Sequence, residues 1–109
     1  MKTGDIVLIP FPFAEGTKKK VRPAMVICHT KDKYKDLVIC AISSVVPGTL
    51  SENEILLQPD NFNGLRAISV LKVDRIVTAK RQDVIAQLGF LDAKNLTHFK
   101  ALFKNLVDS

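Results

Sequence analysis

No apolar run in this 109-residue chain approaches the roughly 20 residues that a bilayer-spanning helix requires. Cysteine is scarce: Cys28 and Cys40 are the only two, and both lie in apolar, strand-like runs where buried free thiols are common. The expectation is a reduced, cytoplasmic protein without a disulfide. Cys28–His29 with a lone Cys40 also lacks the paired spacing of a metal site, so no metal and no other cofactor is expected. Histidine is equally sparse, and neither His29 nor His98 has a cysteine, serine or carboxylate at a telling position beside it. Repeats, low-complexity tracts and interior linkers are missing, which points to one domain over residues 1–109. The opening residues lack the form of a secretory signal: Asp5 interrupts them and no small-residue cleavage site precedes the lysines.

What is present is basic charge on an ordinary globular composition. Sixteen Lys and Arg against eleven Asp and Glu give a net charge of +5 and a pI near 9.4, which favours an anionic partner, nucleic acid first. With 47% hydrophobic residues the chain is no disordered polyelectrolyte. One core of this size is marginal enough that dimerisation would help it.

The hydrophobic pattern predicts many short strands and one terminal helix. Residues 5–9 and 23–28 read as strands, with a long hairpin loop over 10–22 that holds Pro10, Pro12, Gly16 and Lys18, Lys19 and Lys20. Residues 37–42 are almost continuously apolar and read as a central strand. Further strands are expected at 54–57, at 67–71 and 74–79 (one bent strand or two), and at 84–88, where Gly89 ends the pattern. Asp92 reads as a helix N-cap. Leu96, Phe99, Leu102, Phe103 and Leu106 then form one apolar stripe over 93–107. The fold class is mainly β, a small and strongly bent antiparallel barrel with the C-terminal helix packed on it.

Several residues could carry chemistry. Pro23 disfavours helical backbone at its predecessor, so Arg22 is extended, at a strand entrance beside Lys18, Lys19 and Lys20. Such a cluster suits a phosphate; the bland alternative is a surface arginine paired with a carboxylate such as Asp5. Ser43 and Ser44 end the central strand, where hydroxyls either face a cleft or satisfy turn backbone. Lys72 and Asp74 share one strand face with Arg75 on the other, a pattern that a solvated ion pair would also produce. Glu52 and Glu54 share a face too, without forming a catalytic acid pair.

Gly4–Asp5–Ile6–Val7, followed by Val21–Arg22–Pro23–Ala24–Met25–Val26–Ile27, resembles the MazF/PemK (Kid) toxins of bacterial toxin–antitoxin pairs. Cys40–Ala41–Ile42–Ser43 and the stretch from Ser69 to Thr78 are weaker echoes. The resemblance implies an SH3-like barrel, a homodimer, and metal-independent, sequence-specific cleavage of single-stranded RNA. The products would be a 2′,3′-cyclic phosphate and a 5′-hydroxyl. It also implies neutralisation by an acidic antitoxin. Arg22 matches the family's catalytic arginine and Ser43 its catalytic threonine. Lys18, Lys19, Lys20, Ser44, Lys72 and Asp74 are the expected RNA contacts.

The chain departs from the family pattern at three places. Lys72 stands where the Kid branch has an arginine two residues before its aspartate, here Asp74. The first loop has no histidine, and Glu15 is its only carboxylate; the resemblance therefore assigns no general base. Val77 replaces a frequent arginine. These departures leave open a non-catalytic nucleic-acid-binding barrel, a gyrase-directed toxin like CcdB, or an inactive remnant.

Overall fold

Apolar residues on both sides of one strand require cover on both sides, and the first strand shows this at once. In β1 (Asp5–Pro12), Ile6 belongs to one buried cluster while Val7, Ile9 and Phe11 belong to another, on the opposite face. The structure is a computed structural model that describes residues 1–12 and 19–108. The other elements are β2 (Lys19–His29), β3 (Leu37–Ser43), β4 (Glu54–Leu57), β5 (Ser69–Ala79), a 3₁₀ turn at Arg81–Asp83, β6 (Ala86–Phe90) and α1 (Ala93–Asp108). Among the described residues the six strands form one antiparallel sheet in the order β4-β5-β3-β2-β1-β6, curled into a half-barrel.

The central apolar run takes the central place: β3 lies between β5 and β2. Its Cys40 and Ile42 join Ile6, Met25, Ile27, Ile55, Leu57 and Leu71 under the helix. Its Leu37, Ile39 and Ala41 join Val7, Ile9, Phe11, Ala24 and Val26 on the other face. Register shifts at Ile6/Val7, Val26/Cys28 and Cys40/Ala41 supply the local bends that curl the sheet.

The terminal helix packs by its stripe except at Phe103, which is exposed and stacks on the Phe99 ring. Phe99 is buried, and Leu96, Leu102 and Leu106 pack against the same cluster. Replacing Phe99 with alanine costs about 3–5 kcal/mol by the usual price of emptying an aromatic core site. Asp92 stands just before the helix, its carbonyl accepting the Leu96 N–H at 2.9 Å and its carboxylate the Asn95 side chain at 2.7 Å. No helix among the described residues is long and apolar enough to cross a membrane.

Two expectations are corrected. Within the loop expected over 10–22, residues 10–12 and 19–22 are strand: Pro10 pairs with Val21, Phe11 with Lys20, Pro12 with Lys19, and Arg22 with Ile9, while 13–18, with Gly16, lie outside the described residues. The prolines are tolerated because β6 pairs with β1 only as far as Leu8, so beyond it one edge of β1 needs no donor. The last strand runs 86–90 rather than 84–88, and Gly89 lies inside it opposite Ile6. A side chain at Gly89 would land on the Phe62 carbonyl, so glycine here permits a close backbone approach rather than a strand end. Of the two readings open for 67–79, one bent strand or two, the single strand holds: β5 runs Ser69–Ala79.

Candidate active site

Strand register decides which polar groups share a face. The pairs Val7–Ala24, Ala24–Ala41, Ala41–Lys72 and Lys72–Glu54 form one row across β1, β2, β3, β5 and β4. Two residues along, on the same face, the next row holds Ile9 opposite Arg22, then Ser43, Val70 and Leu56. Arg22 and Ser43 occupy that row on adjacent strands, one repeat beyond the final β2–β3 pair, Ala24–Ala41. Pro23 explains why the ladder stops there, since it has no N–H to give. Lys20, two residues before Arg22 and opposite Phe11, adds a second exposed cation on this face.

Arg22 is exposed, and its cross-strand neighbour Ile9 is fully buried. The guanidinium therefore rises from an apolar floor. Asp5, the carboxylate considered as its partner, is buried at the other end of β1, where it accepts the Lys2 backbone N–H at 2.9 Å. Ser43 is half-buried, and its Oγ accepts the Val45 N–H at 3.1 Å. That turn bond uses an oxygen lone pair and leaves the hydroxyl proton available to a ligand. Ser44 is exposed in the following turn.

Lys72 has a partner that sequence patterning did not identify. Its Nζ lies 3.1 Å from Glu54 Oε2, while Glu54 Oε1 accepts the Ser51 N–H at 2.7 Å. The Ser51 hydrogen bond, and then Lys72, hold the Glu54 carboxyl below its ordinary range. Asp74 lies in the stretch of β5 skipped by the shift from Ala41–Lys72 to Cys40–Ile76, and it accepts the Asn53 amide at 3.3 Å. Asn53 also accepts the Val73 N–H through its carbonyl at 2.9 Å, tying the β4 turn to this bend. Lys72 is thus bound to Glu54 and Asp74 to Asn53. The sequence carried no signal of the Lys72–Glu54 pair, because it depends on β4 pairing with β5. Val77, at the position of the family's arginine, packs against the buried cluster of the site face.

Lys18 and Glu15 lie outside the described residues, and Lys19 is placed only by its backbone pairing with Pro12. Among the described residues no group of three or more His, Cys, Asp or Glu could hold a metal ion.

A family model for the PemK-like, MazF-like toxin of type II toxin–antitoxin systems matches residues 2–107. The chain belongs to the PemK/MazF toxin family. It is a MazF-like toxin of a type II system, a family that implies an antitoxin partner. Two solved MazF structures share its fold. One is the Mycobacterium tuberculosis toxin MazF-mt6, 20% identical over 95% of this chain and 96% of that one, with a TM-score of 0.69. The other is MazF from Deinococcus radiodurans, 20% identical over 100% of this chain and 97% of that one, with a TM-score of 0.73. None of the curated proteins matches.

Proposed function

We propose that this MazF-like toxin is a metal-independent, sequence-specific endoribonuclease that cuts single-stranded messenger RNA. The observation that carries this reading is the shared row of Arg22 and Ser43, with Lys20 beside them on a basic chain. In the proposed reaction the ribose 2′-oxygen attacks the adjacent phosphorus and loses its proton. The bond from phosphorus to the 5′-oxygen breaks, and that oxygen takes up a proton. A 2′,3′-cyclic phosphate and a 5′-hydroxyl result.

Arg22 suits the charge that develops on the phosphorane. Its planar fork spans two non-bridging oxygens, and its delocalised charge suits it to stabilising charge rather than shuttling protons. The Ser43 hydroxyl orients the same phosphate. Lys18, Lys19, Lys20 and Ser44 hold the flanking RNA, with Lys72 and Asp74 further across the sheet. Counterion release favours RNA on such a surface, and the same charge favours an acidic antitoxin. The active form is a cytoplasmic homodimer.

The test is incubation of purified protein with mixed-sequence RNA in EDTA, followed by end-group analysis. Cyclic phosphate and 5′-hydroxyl ends support the reading; intact RNA contradicts it. A second reading, a non-catalytic RNA-binding barrel or a gyrase-directed toxin like CcdB, draws on the engagement of Lys72 by Glu54. Salt-sensitive RNA binding without products, or inhibition of supercoiling, would favour it.

A further inference from the structure

The acidic group on the site face is fixed more firmly than the cation it holds. Glu54 closes a turn with Ser51: its N–H donates to the Ser51 carbonyl at 3.2 Å, and its Oε1 accepts the Ser51 N–H at 2.7 Å. The Ser51 hydroxyl accepts the Asn53 N–H at 3.3 Å, and the Asn53 carbonyl takes the Val73 N–H. The carboxylate is therefore locked to a turn that is itself locked to β5. Its second oxygen, Oε2, meets Lys72 Nζ at 3.1 Å. The Glu54 side chain is only 12% exposed and that of Lys72 is 28% exposed. Lysine is the long, flexible member, so separating the pair means moving Lys72.

The pair stands in the row beside the one that holds Arg22 and Ser43, and on the same face. Strand spacing puts the Lys72 backbone about 8 Å from that of Ser43 and about 12 Å from that of Arg22. Lys72 can therefore reach the strand that Arg22 would hold, but only after leaving Glu54.

We propose that Glu54 is a built-in competitor for RNA phosphate, an intramolecular anion that occupies Lys72 and restrains the affinity of this face. This rests on the RNA-binding part of the function proposed above. A phosphate on Lys72 displaces a carboxylate already in place, so the lysine contributes little net affinity in the wild-type chain. Removing the Glu54 charge frees it. Glutamine at 54 keeps an oxygen for the Ser51 N–H and so preserves the turn.

The experiment measures binding of a 2′-O-methylated single-stranded RNA, which resists 2′-hydroxyl attack, by wild type, Glu54→Gln, Lys72→Ala and the double variant over a range of salt. Glu54→Gln is expected to bind about three- to tenfold tighter, the scale of one added charged contact. Its log–log salt slope should steepen by about 0.7, one further phosphate neutralised on a single strand. Lys72→Ala should bind more weakly than wild type, because Glu54 is then bare, and the double variant should lose the gain of Glu54→Gln. A structural role alone would not raise affinity. Equal or weaker binding by folded Glu54→Gln overturns the inference, as does a gain that persists in the double variant. If all four proteins fail to bind RNA, the RNA reading falls and takes this inference with it; if all bind alike, only the competitor role falls.

Discussion

The Oγ of Ser43 accepts the backbone N–H of Val45 at 3.1 Å, so the hydroxyl proposed to orient phosphate also closes the turn that ends β3. The two roles separate by substitution. Ser43→Ala should lose about 0.5–1.5 kcal/mol of stability, the net worth of one hydrogen bond. It should also slow RNA cleavage about tenfold or more through loss of a placed donor. Ser43→Thr keeps the oxygen and stiffens the rotamer, and should cut at least as fast as wild type. An alanine variant that is as active as wild type would remove Ser43 from the site.

Gly89 tests the fold around the far edge of the sheet. A Cβ there would collide with the Phe62 carbonyl and crowd Asn63, both backbone contacts that cannot swing aside. Gly89→Ala should cost about 1–3 kcal/mol, as overpacking does, and lower Tm by about 4–8 °C per kcal/mol. Gly48→Ala, with no atom within 4 Å of the added carbon, should leave Tm nearly unchanged. Thermal unfolding followed by circular dichroism compares them.

The two cysteines should behave differently. Burial in β3 pushes the Cys40 thiol up to about 12, whereas Cys28 is exposed on β2. A thiol reagent at mildly alkaline pH should label one site per native chain and two per unfolded chain, with Cys28 the native one by peptide mapping. Rapid labelling of Cys40 in the native protein would contradict its buried place in the central strand.

Glu54 should leave a mark on acid stability. The Ser51 hydrogen bond and Lys72 lower its folded pKa from the ordinary 4.5. Its stabilising contribution is therefore complete well above about pH 4.5 and disappears as the pH falls through the lower folded value. The Tm difference between wild type and Glu54→Gln should be constant near neutrality and shrink on acidification. A difference that grows in acid would reverse the sign of the assigned interaction.

Much of this fold was readable in the chain because local rules and tertiary packing agree. The apolar run at 37–42 became the central strand, and the stripe from Leu96 to Leu106, Phe103 excepted, became the packed face of α1. Pro10, Pro12 and Gly89 misled for a shared reason: each is a local breaker whose cost depends on whether its backbone needs a partner. An unpaired edge beyond Leu8 spared the prolines, and a close carbonyl made glycine necessary at 89. At the candidate site, Arg22 and Ser43 were singled out by their places at strand ends. Their common row could not be read from sequence, because it follows from how β2 and β3 pair. The Lys72–Glu54 contact was hidden likewise, since patterning gives faces but not neighbours.

Single-turnover cutting of a defined RNA in EDTA tests most directly the proposed role of Arg22, stabilising the charge on a phosphate being cleaved. Folded Arg22→Ala should be slower than wild type by about 10²–10³, the scale of losing one preorganised charge stabiliser. Arg22→Lys should recover only part of that loss, because an ammonium cannot span two phosphate oxygens. Equal rates for wild type and Arg22→Ala would contradict the account.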